Sequence, residues 1–217
     1  MKNVKTIIFD FDGVIADTLP FTFKKIIEIA KILEITNLNE KQIIEEIRIK
    51  SYQELITLGG MKLSWFKLPF MMGIVRRMQE ELYQEIEKIK LFPGMKKLLH
   101  DLKKQGINLM ILSSNLEKNV RKFLQLNQVD IFDYIDCGSH ILGKAVAMES
   151  FLKKNNLKKE EAIYVGDEIR DIEACKKIKI KIIGVSWGLN KASVLKKYDA
   201  DFIANKPKDI LKLIYDI

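Results

Sequence analysis

Two aspartates near the start of the chain, Asp10 and Asp12, have the residue type and the spacing to act together on one substrate. They end an apolar run that is too short for a helix and is typical of a buried strand, and Gly13 follows them. Side chains two positions apart on a strand lie on the same face, so both carboxylates can reach one atom. One can attack as a nucleophile, the other can carry a proton, and both can hold a hard cation. The alternative is a strand that ends in an Asp-Gly turn without chemistry.

Later predicted strands also end in polar side chains. Ligands of open parallel sheets bind beyond the carboxyl ends of the strands, at the point where the strand order reverses. Side chains that follow several strands can therefore meet in one site. They are Ser113, Ser114 and Asn115 after the strand predicted over residues 107–112, Lys144 after the strand over 134–138, and Asp167 and Asp171 after the strand over 162–165.

The aspartates of this set indicate a metal site. Asp10, Asp12 and Asp167 would repel one another unless a cation lay among them. Magnesium fits best, because it takes oxygen ligands, keeps several waters and is commonly held by one or two carboxylates plus a substrate phosphate. Asp171, four residues after Asp167, can reach such an ion through water. The alternative is that Asp167 and Asp171 are only first-turn acids of a helix, where the helix dipole favours them.

The remaining side chains indicate a phosphate site. Ser113 and the backbone N–H groups of Ser114 and Asn115, at a helix N-terminus, form a cradle for an anion. Lys144 adds a positive charge for phosphate oxygens and for the attacking carboxylate. The set as a whole suggests phosphoryl transfer to Asp10, followed by hydrolysis. Taken singly, the serines and the asparagine can merely cap a helix, and Lys144 can be a surface lysine.

Two kinds of hydrophobic pattern divide the chain. Residues 14–90 have only helical periodicity, and the rest of the chain alternates strands with helices. Such alternation is typical of an α/β fold, a parallel sheet with helices on both faces. We therefore predict an α/β core domain formed by residues 1–13 and 91–217, with an inserted all-helical domain over 14–90. The last helical stretch of the insert is expected to be interrupted near Pro69 and Gly73.

The composition limits the compartment and the partners. The chain has 217 residues and a formal net charge of +8, but its lysines are spread over nearly every helix without a basic stripe. A small anion is therefore favoured over nucleic acid as the partner. No apolar run is long enough to span a membrane, and no signal peptide is evident, so a cytoplasmic protein without membrane contact is expected. Both a monomer and a homodimer are compatible with the sequence.

Taken in order, these motifs resemble those of the haloacid dehalogenase superfamily, and most closely its phosphoglycolate phosphatase-like branch with a helical C1-type cap. The resemblance covers nearly the whole core, and it implies a Rossmann-like parallel sheet with the insert as its cap. The matching segments are Asp10-Phe11-Asp12-Gly13-Val14, Ser113, Lys144, Gly166-Asp167-Glu168-Ile169-Arg170-Asp171, Leu91-Phe92-Pro93-Gly94 and Val185-Ser186-Trp187-Gly188.

The resemblance implies a role for each motif residue. Asp10 would be the nucleophile that forms an aspartyl-phosphate, and Asp12 the general acid and base. Dehalogenases of this superfamily lack the second acid, so Asp12 favours a phosphatase. The implied Mg²⁺ ligands are the Asp10 carboxylate, the Asp12 backbone carbonyl, Asp167 and, through water, Asp171, and the implied phosphate ligands are Ser113, the Ser114 backbone and Lys144.

The same resemblance suggests where the cap contacts the substrate. Arg48 and Lys50 lie in a segment that is similar to the substrate loop of this branch, although Ile49 stands where glycine is usual. The alternative for Arg48 and Lys50 is a solvated helix end.

The expected function is a Mg²⁺-dependent phosphatase acting on a small phosphorylated metabolite. That metabolite would be a phosphomonoester such as a phosphoglycolate-like compound, a sugar phosphate or a nucleotide. A β-phosphoglucomutase-type phosphosugar mutase is the alternative enzyme, because it would use the same core. A non-catalytic binding protein with the same fold would be expected to lose a nucleophile or a metal ligand, and none is missing from the motifs.

Overall fold

The computed structural model describes residues 4–32, 39–51, 54, 68–138 and 143–215. Strands and helices alternate over the second half of the chain. The strands are β1 (Thr6–Phe9), β2 (Asn108–Ser113), β3 (Tyr134–Cys137), β4 (Ala162–Gly166), β5 (Lys181–Val185) and β6 (Phe202–Ala204). The described α-helices are α1 (Leu19–Ile32), α2 (Glu40–Ile49), α3 (Leu68–Glu85), α4 (Met95–Lys104), α5 (Glu117–Leu126), α6 (Lys144–Lys154), α7 (Ile169–Ile178), α8 (Ala192–Lys197) and α9 (Pro207–Leu213).

The six strands form one parallel sheet in the order β3-β2-β1-β4-β5-β6. The strand order reverses between β1 and β4, whose neighbouring residues Phe9 and Val165 are in register. The sheet confirms the predicted α/β, Rossmann-like fold class. It also places the carboxyl ends of β1 and β4 side by side, at the point where open sheets of this kind bind their ligands.

Both faces of the sheet are covered by apolar side chains, which explains why the central strands are apolar along their whole length. On β1, Ile7 and Phe9 contact one hydrophobic cluster while Ile8 contacts the other. Helices α4, α5 and α9 contribute to the first cluster, and α6, α7 and α8 to the second. The strand ends that carry polar residues are therefore held by a core on each side.

The described part of residues 14–90 is mainly helical. Helix α2 begins with a capping box, in which the Asn39 side chain accepts from the Gln42 N–H and the Gln42 side chain accepts from the Asn39 N–H. Residues Val14, Ile15 and Ala16 are fully buried in the same cluster as β1. The first residues of the predicted insert thus pack with the core, and the domain boundaries remain a prediction.

The expected interruption near Pro69 and Gly73 is wrong. Helix α3 runs through both residues from Leu68 to Glu85. Pro69 lies in the first turn, where a backbone N–H has no acceptor within the helix, so its missing donor costs nothing there. No described helix combines the length and the apolar character that crossing a membrane requires.

Candidate active site

Asp10 lies directly after β1, with 5 % of its surface exposed. Its backbone N–H donates to the Val165 carbonyl of β4 at 2.9 Å, which continues the sheet by one residue. One carboxylate oxygen, Oδ1, accepts from the Phe11 N–H at 2.7 Å. The other, Oδ2, lies 2.5 Å from the Lys144 ammonium nitrogen. The carboxylate is thus fixed in orientation before any substrate binds.

Lys144, the first residue of α6, joins two of the predicted site aspartates. Its ammonium group forms ion pairs with Asp10 and with Asp171, and only 13 % of its side chain is exposed. Burial alone would lower the pKa of Lys144, but the two neighbouring carboxylates outweigh this effect and raise the pKa well above its usual value. The lysine is therefore charged at neutral pH, next to the position where a phosphate would meet Asp10.

Asp167 and Asp171 follow β4 at the same edge of the sheet. Oδ2 of Asp171 accepts from the backbone N–H groups of Asp167 and Glu168, both at 3.1 Å, so this carboxylate caps the start of α7. Oδ2 of Asp167 accepts from the Leu189 N–H at 2.7 Å. Its other oxygen, Oδ1, is buried and has no hydrogen-bond partner within the described part of the chain. Buried polar atoms are normally paired, so this oxygen is available to a ligand.

The carboxylates of Asp10, Asp167 and Asp171 fit an oxygen-preferring cation. Each offers an oxygen, and these oxygens all lie within 4.8 Å of one another. Burial, followed by the charges of Glu168, Asp171 and Asp10, raises the pKa of Asp167 well above its usual value. A divalent cation would offset this repulsion, and carboxylate oxygens are the ligands that Mg²⁺ prefers.

Two glycines lie so close to Asp167 that no side chain fits in their place. A Cβ atom on Gly188 would lie 2.1 Å from the Asp167 Cβ, and one on Gly13 would lie 2.1 Å from its Oδ2. Gly13 also has a φ of +72°, which disfavours other residues. Gly13, after β1, and Gly188, after β5, therefore fix the position of the Asp167 carboxylate.

Gly188→Ala is expected to destabilise the fold by about 1–3 kcal/mol, because the added methyl group overlaps Asp167. Displacement of Asp167 is expected to weaken Mg²⁺ binding by about 10-fold to 100-fold. Thermal unfolding and calorimetric titration with Mg²⁺ measure the two effects. Gly73→Ala is the matched control: a Cβ there meets nothing within 4 Å, and alanine on α3 should stabilise the protein by about 0.5–1 kcal/mol. Unchanged Mg²⁺ binding in Gly188→Ala would contradict the assignment of Asp167.

The end of β2 and the segment that follows it place polar groups beside Asp12. Ser113 is buried, and its Oγ accepts from the Asn115 N–H at 3.1 Å, whereas Ser114 is exposed. The Asn115 amide nitrogen lies 3.0 Å and 3.2 Å from the two carboxylate oxygens of Asp12. Burial raises the pKa of Asp12, and the hydrogen bond from Asn115 counteracts that shift. Asn115, expected only as part of an anion cradle, thus also holds the second carboxylate.

The segment of the predicted insert that carries Arg48 and Lys50 contacts the core through its backbone. Asn190, with 3 % of its surface exposed, donates from its amide to the Ile47 and Arg48 carbonyls, each at 3.2 Å. Its own carbonyl accepts from the Ile169 N–H at the start of α7, at 2.9 Å. The Lys50 ammonium pairs with Glu46, one turn earlier. The segment is therefore adjacent to the loop that fixes Asp167, and substrate contact by Arg48 and Lys50 remains a prediction.

Sequence reasoning missed two buried asparagines beside the site. Asn190 belongs to no motif, and nothing in its local sequence marks it. Asn119 is fully buried on α5, and its amide nitrogen donates to Asn115 Oδ1 at 2.8 Å. Asn115 precedes helix α5, so no helical spacing in the sequence pairs it with Asn119.

Comparisons with known proteins identify the family of this chain. The family model described as haloacid dehalogenase-like hydrolase matches residues 7–185. Phosphoglycolate phosphatase from Synechococcus elongatus is 28% identical over 212 residues, covering 97% of both chains. Pyrophosphatase PpaX from Bacillus mycoides is 22% identical, covering 98% of this chain and 97% of the relative.

Solved structures share the fold. A haloacid dehalogenase-like hydrolase from Streptococcus pneumoniae superposes with a TM-score of 0.77 at 23% identity, covering 98% of this chain and 99% of that one. The family match includes Asp10, Ser113 and Asp167 at the ends of their strands and Lys144 at the start of α6. The chain therefore belongs to the haloacid dehalogenase-like hydrolase family, and the phosphatase class of enzyme predicted from its sequence is confirmed.

Proposed function

We propose that this enzyme is a Mg²⁺-dependent phosphatase that hydrolyses a small phosphomonoester through a phosphoryl group carried on Asp10. The observation that carries the proposal is the pairing of a fixed, buried Asp10 carboxylate with the Lys144 ammonium at 2.5 Å, beside two further buried carboxylates. A carboxylate nucleophile needs neighbouring positive charge to approach an anionic phosphate, and Lys144 supplies it. The names of the phosphoglycolate phosphatase and pyrophosphatase relatives support the same chemistry.

The reaction has two steps at the same phosphorus atom. In the first, a carboxylate oxygen of Asp10 attacks phosphorus and the bond from phosphorus to the leaving oxygen breaks, while Asp12 gives its proton to that oxygen. In the second, Asp12 takes a proton from a water molecule, whose oxygen attacks the phosphorus of the aspartyl-phosphate. Inorganic phosphate is released and Asp10 returns as a carboxylate. Asp12 ends each cycle protonated, as it began.

The neighbouring residues hold the ion and the phosphate. Bound Mg²⁺ would supply positive charge against the transferring phosphoryl group. The Asp10 and Asp167 carboxylates and the Asp12 backbone carbonyl would hold it, with Asp171 supporting from the start of α7. Ser113, the Ser114 N–H and Lys144 would bind the phosphoryl oxygens.

The cap is proposed to select the substrate, with Arg48 and Lys50 as candidate contacts. The substrate class that fits is a small phosphorylated metabolite, such as phosphoglycolate, a sugar phosphate or a nucleotide, and a cytoplasmic location suits it. Closure of a cap over the site would exclude bulk water from the first step.

Phosphate release from a panel of such esters, with and without Mg²⁺, tests this function. Release that needs Mg²⁺ and favours one compound is expected. A folded enzyme that binds Mg²⁺ but releases no phosphate from any ester would contradict the proposal. Phosphosugar isomerisation that needs a bisphosphate activator would identify the mutase alternative instead.

A further inference from the structure

A chain of hydrogen bonds runs from helix α3 of the cap to Asp12. The backbone carbonyl of Gln79 accepts from the Asn119 amide nitrogen at 2.8 Å. The same nitrogen donates to Asn115 Oδ1 at 2.8 Å, and the Asn115 amide nitrogen contacts both oxygens of Asp12. Two asparagines, four positions apart in the sequence, thus connect a cap helix to the second carboxylate of the site.

The direction of this chain is fixed by backbone groups whose hydrogen-bonding role cannot change. The Leu116 N–H can only donate, so Asn115 must turn its Oδ1 toward Leu116 and its NH₂ group toward Asp12. Asn115 Oδ1 then faces the other way, where it accepts from the Leu116 N–H at 2.7 Å and from Asn119. The Gln79 carbonyl is also only an acceptor, so Asn119 must present its NH₂ group to both neighbours.

Burial makes the arrangement strong. Asn119 is fully buried and Asn115 has 3 % of its surface exposed. In a site that excludes water, a lost hydrogen bond is not replaced by solvent, so the asparagines hold one geometry. Burying a polar side chain on α5 lowers the stability of the fold relative to an apolar residue, unless the polar group forms hydrogen bonds. The bonds of Asn119 therefore explain why a polar residue stands there.

Helix α3 is itself docked on the core beside this chain. The Gln79 side chain donates to the Ser114 carbonyl at 2.8 Å. On α5, Lys118 forms an ion pair with Glu80, and its ammonium lies 4.8 Å from the centre of the Tyr83 ring. These contacts hold α3 against the core beside the position where the Gln79 carbonyl meets Asn119.

We propose that Asn119 is a positioning residue that ties the orientation of the Asp12 carboxylate to the docked position of helix α3. This inference rests on the proposed function, because it assumes that Asp12 protonates the leaving oxygen. It predicts that the enzyme is fully competent for proton transfer only while the cap helix is in contact with α5.

The test uses two esters that differ in their need for a proton. An alkyl phosphate releases a strongly basic alkoxide that must be protonated, whereas p-nitrophenyl phosphate releases a weakly basic phenolate that needs little help. The quantity compared is kcat/KM, which covers the steps up to release of the leaving group. Its ratio between the two esters does not depend on the fraction of folded enzyme, so a purely structural effect leaves the ratio unchanged.

Asn119→Ala is expected to lower kcat/KM about three- to tenfold for the alkyl ester and to change it little for p-nitrophenyl phosphate. Two matched variants should leave the ratio unchanged. Asn127→Ala removes an asparagine at the end of the same helix whose side-chain amide donates to the Phe123 carbonyl. Gln79→Ala removes the Ser114 contact but keeps the carbonyl bonded by Asn119.

Equal losses for the two esters in Asn119→Ala, or no loss for either, would overturn the inference. If Asn119→Ala does not fold, Asn119→Ser faces the same criterion, because serine is too short to bond both acceptors. Failure of the proposed function is distinct, because the unmodified enzyme would then hydrolyse neither ester.

Discussion

Asp10→Asn is expected to lower kcat for phosphate release by about 10⁵-fold or more, because the neutral amide cannot act as the nucleophile. The substitution keeps the size of the side chain, and its oxygen can still accept from the Phe11 N–H. It leaves Lys144 with Asp171 as its remaining carboxylate partner. The measurement is steady-state phosphate release on the preferred ester of the panel, with folding checked by thermal unfolding.

Asp101→Asn is the matched control for this substitution. Asp101 is an aspartate of α4 whose carboxylate pairs with Lys97 at 2.7 Å on the surface. Surface ion pairs contribute little, so its loss should leave kcat and the unfolding temperature almost unchanged. If kcat of Asp10→Asn stays within about tenfold of that of the unmodified enzyme, Asp10 is excluded as the nucleophile, because loss of a nucleophile lowers kcat far more than this.

Asp12→Asn is expected to lower kcat/KM for an alkyl phosphate by about 10²- to 10⁴-fold, the usual contribution of a general acid. The loss for p-nitrophenyl phosphate should be much smaller, because its leaving group needs little protonation. The second step also uses Asp12, so kcat should fall for both esters. The phosphorylated form of Asp10 should accumulate with p-nitrophenyl phosphate, whose first step is little affected. Initial rates over a range of concentrations of both esters measure these effects.

Equal falls in kcat/KM for the two esters would show that Asp12 does not protonate the leaving oxygen. Asp12 would then contribute through its backbone carbonyl or through its charge. Asn119→Ala should also lower kcat/KM more for the alkyl phosphate than for p-nitrophenyl phosphate, but by a smaller factor than Asp12→Asn.

The fold and the central residues were predictable because their signals are local. An apolar strand that ends in Asp10-Phe11-Asp12-Gly13 needs no knowledge of distant residues to be recognised. The strand ends with Ser113 and Asp167 follow from the same pattern, and parallel topology then brings them to one edge. Lys144 was predicted beside Asp10, and the structure places it there.

The remaining contacts depend on tertiary packing. The Gln79 carbonyl meets Asn119 across 40 positions, and Asn190 meets Arg48 across 142. No periodicity encodes such pairs, because they depend on how the cap helices dock. The prediction of a helix interruption at Pro69 was wrong for a different reason. A proline breaks a helix only in its interior, whereas it is acceptable in the first turn.

The most direct test of the account is to locate the phosphoryl group on the enzyme during turnover. The enzyme is mixed with its preferred ester and Mg²⁺, quenched in acid before one turnover is complete, and analysed by tandem mass spectrometry. We predict one phosphoryl group on Asp10, which is absent from Asp10→Asn and reaches a higher level in Asp12→Asn when p-nitrophenyl phosphate is the substrate. Turnover without phosphorylation of Asp10, or with the group on another residue, would contradict the mechanism.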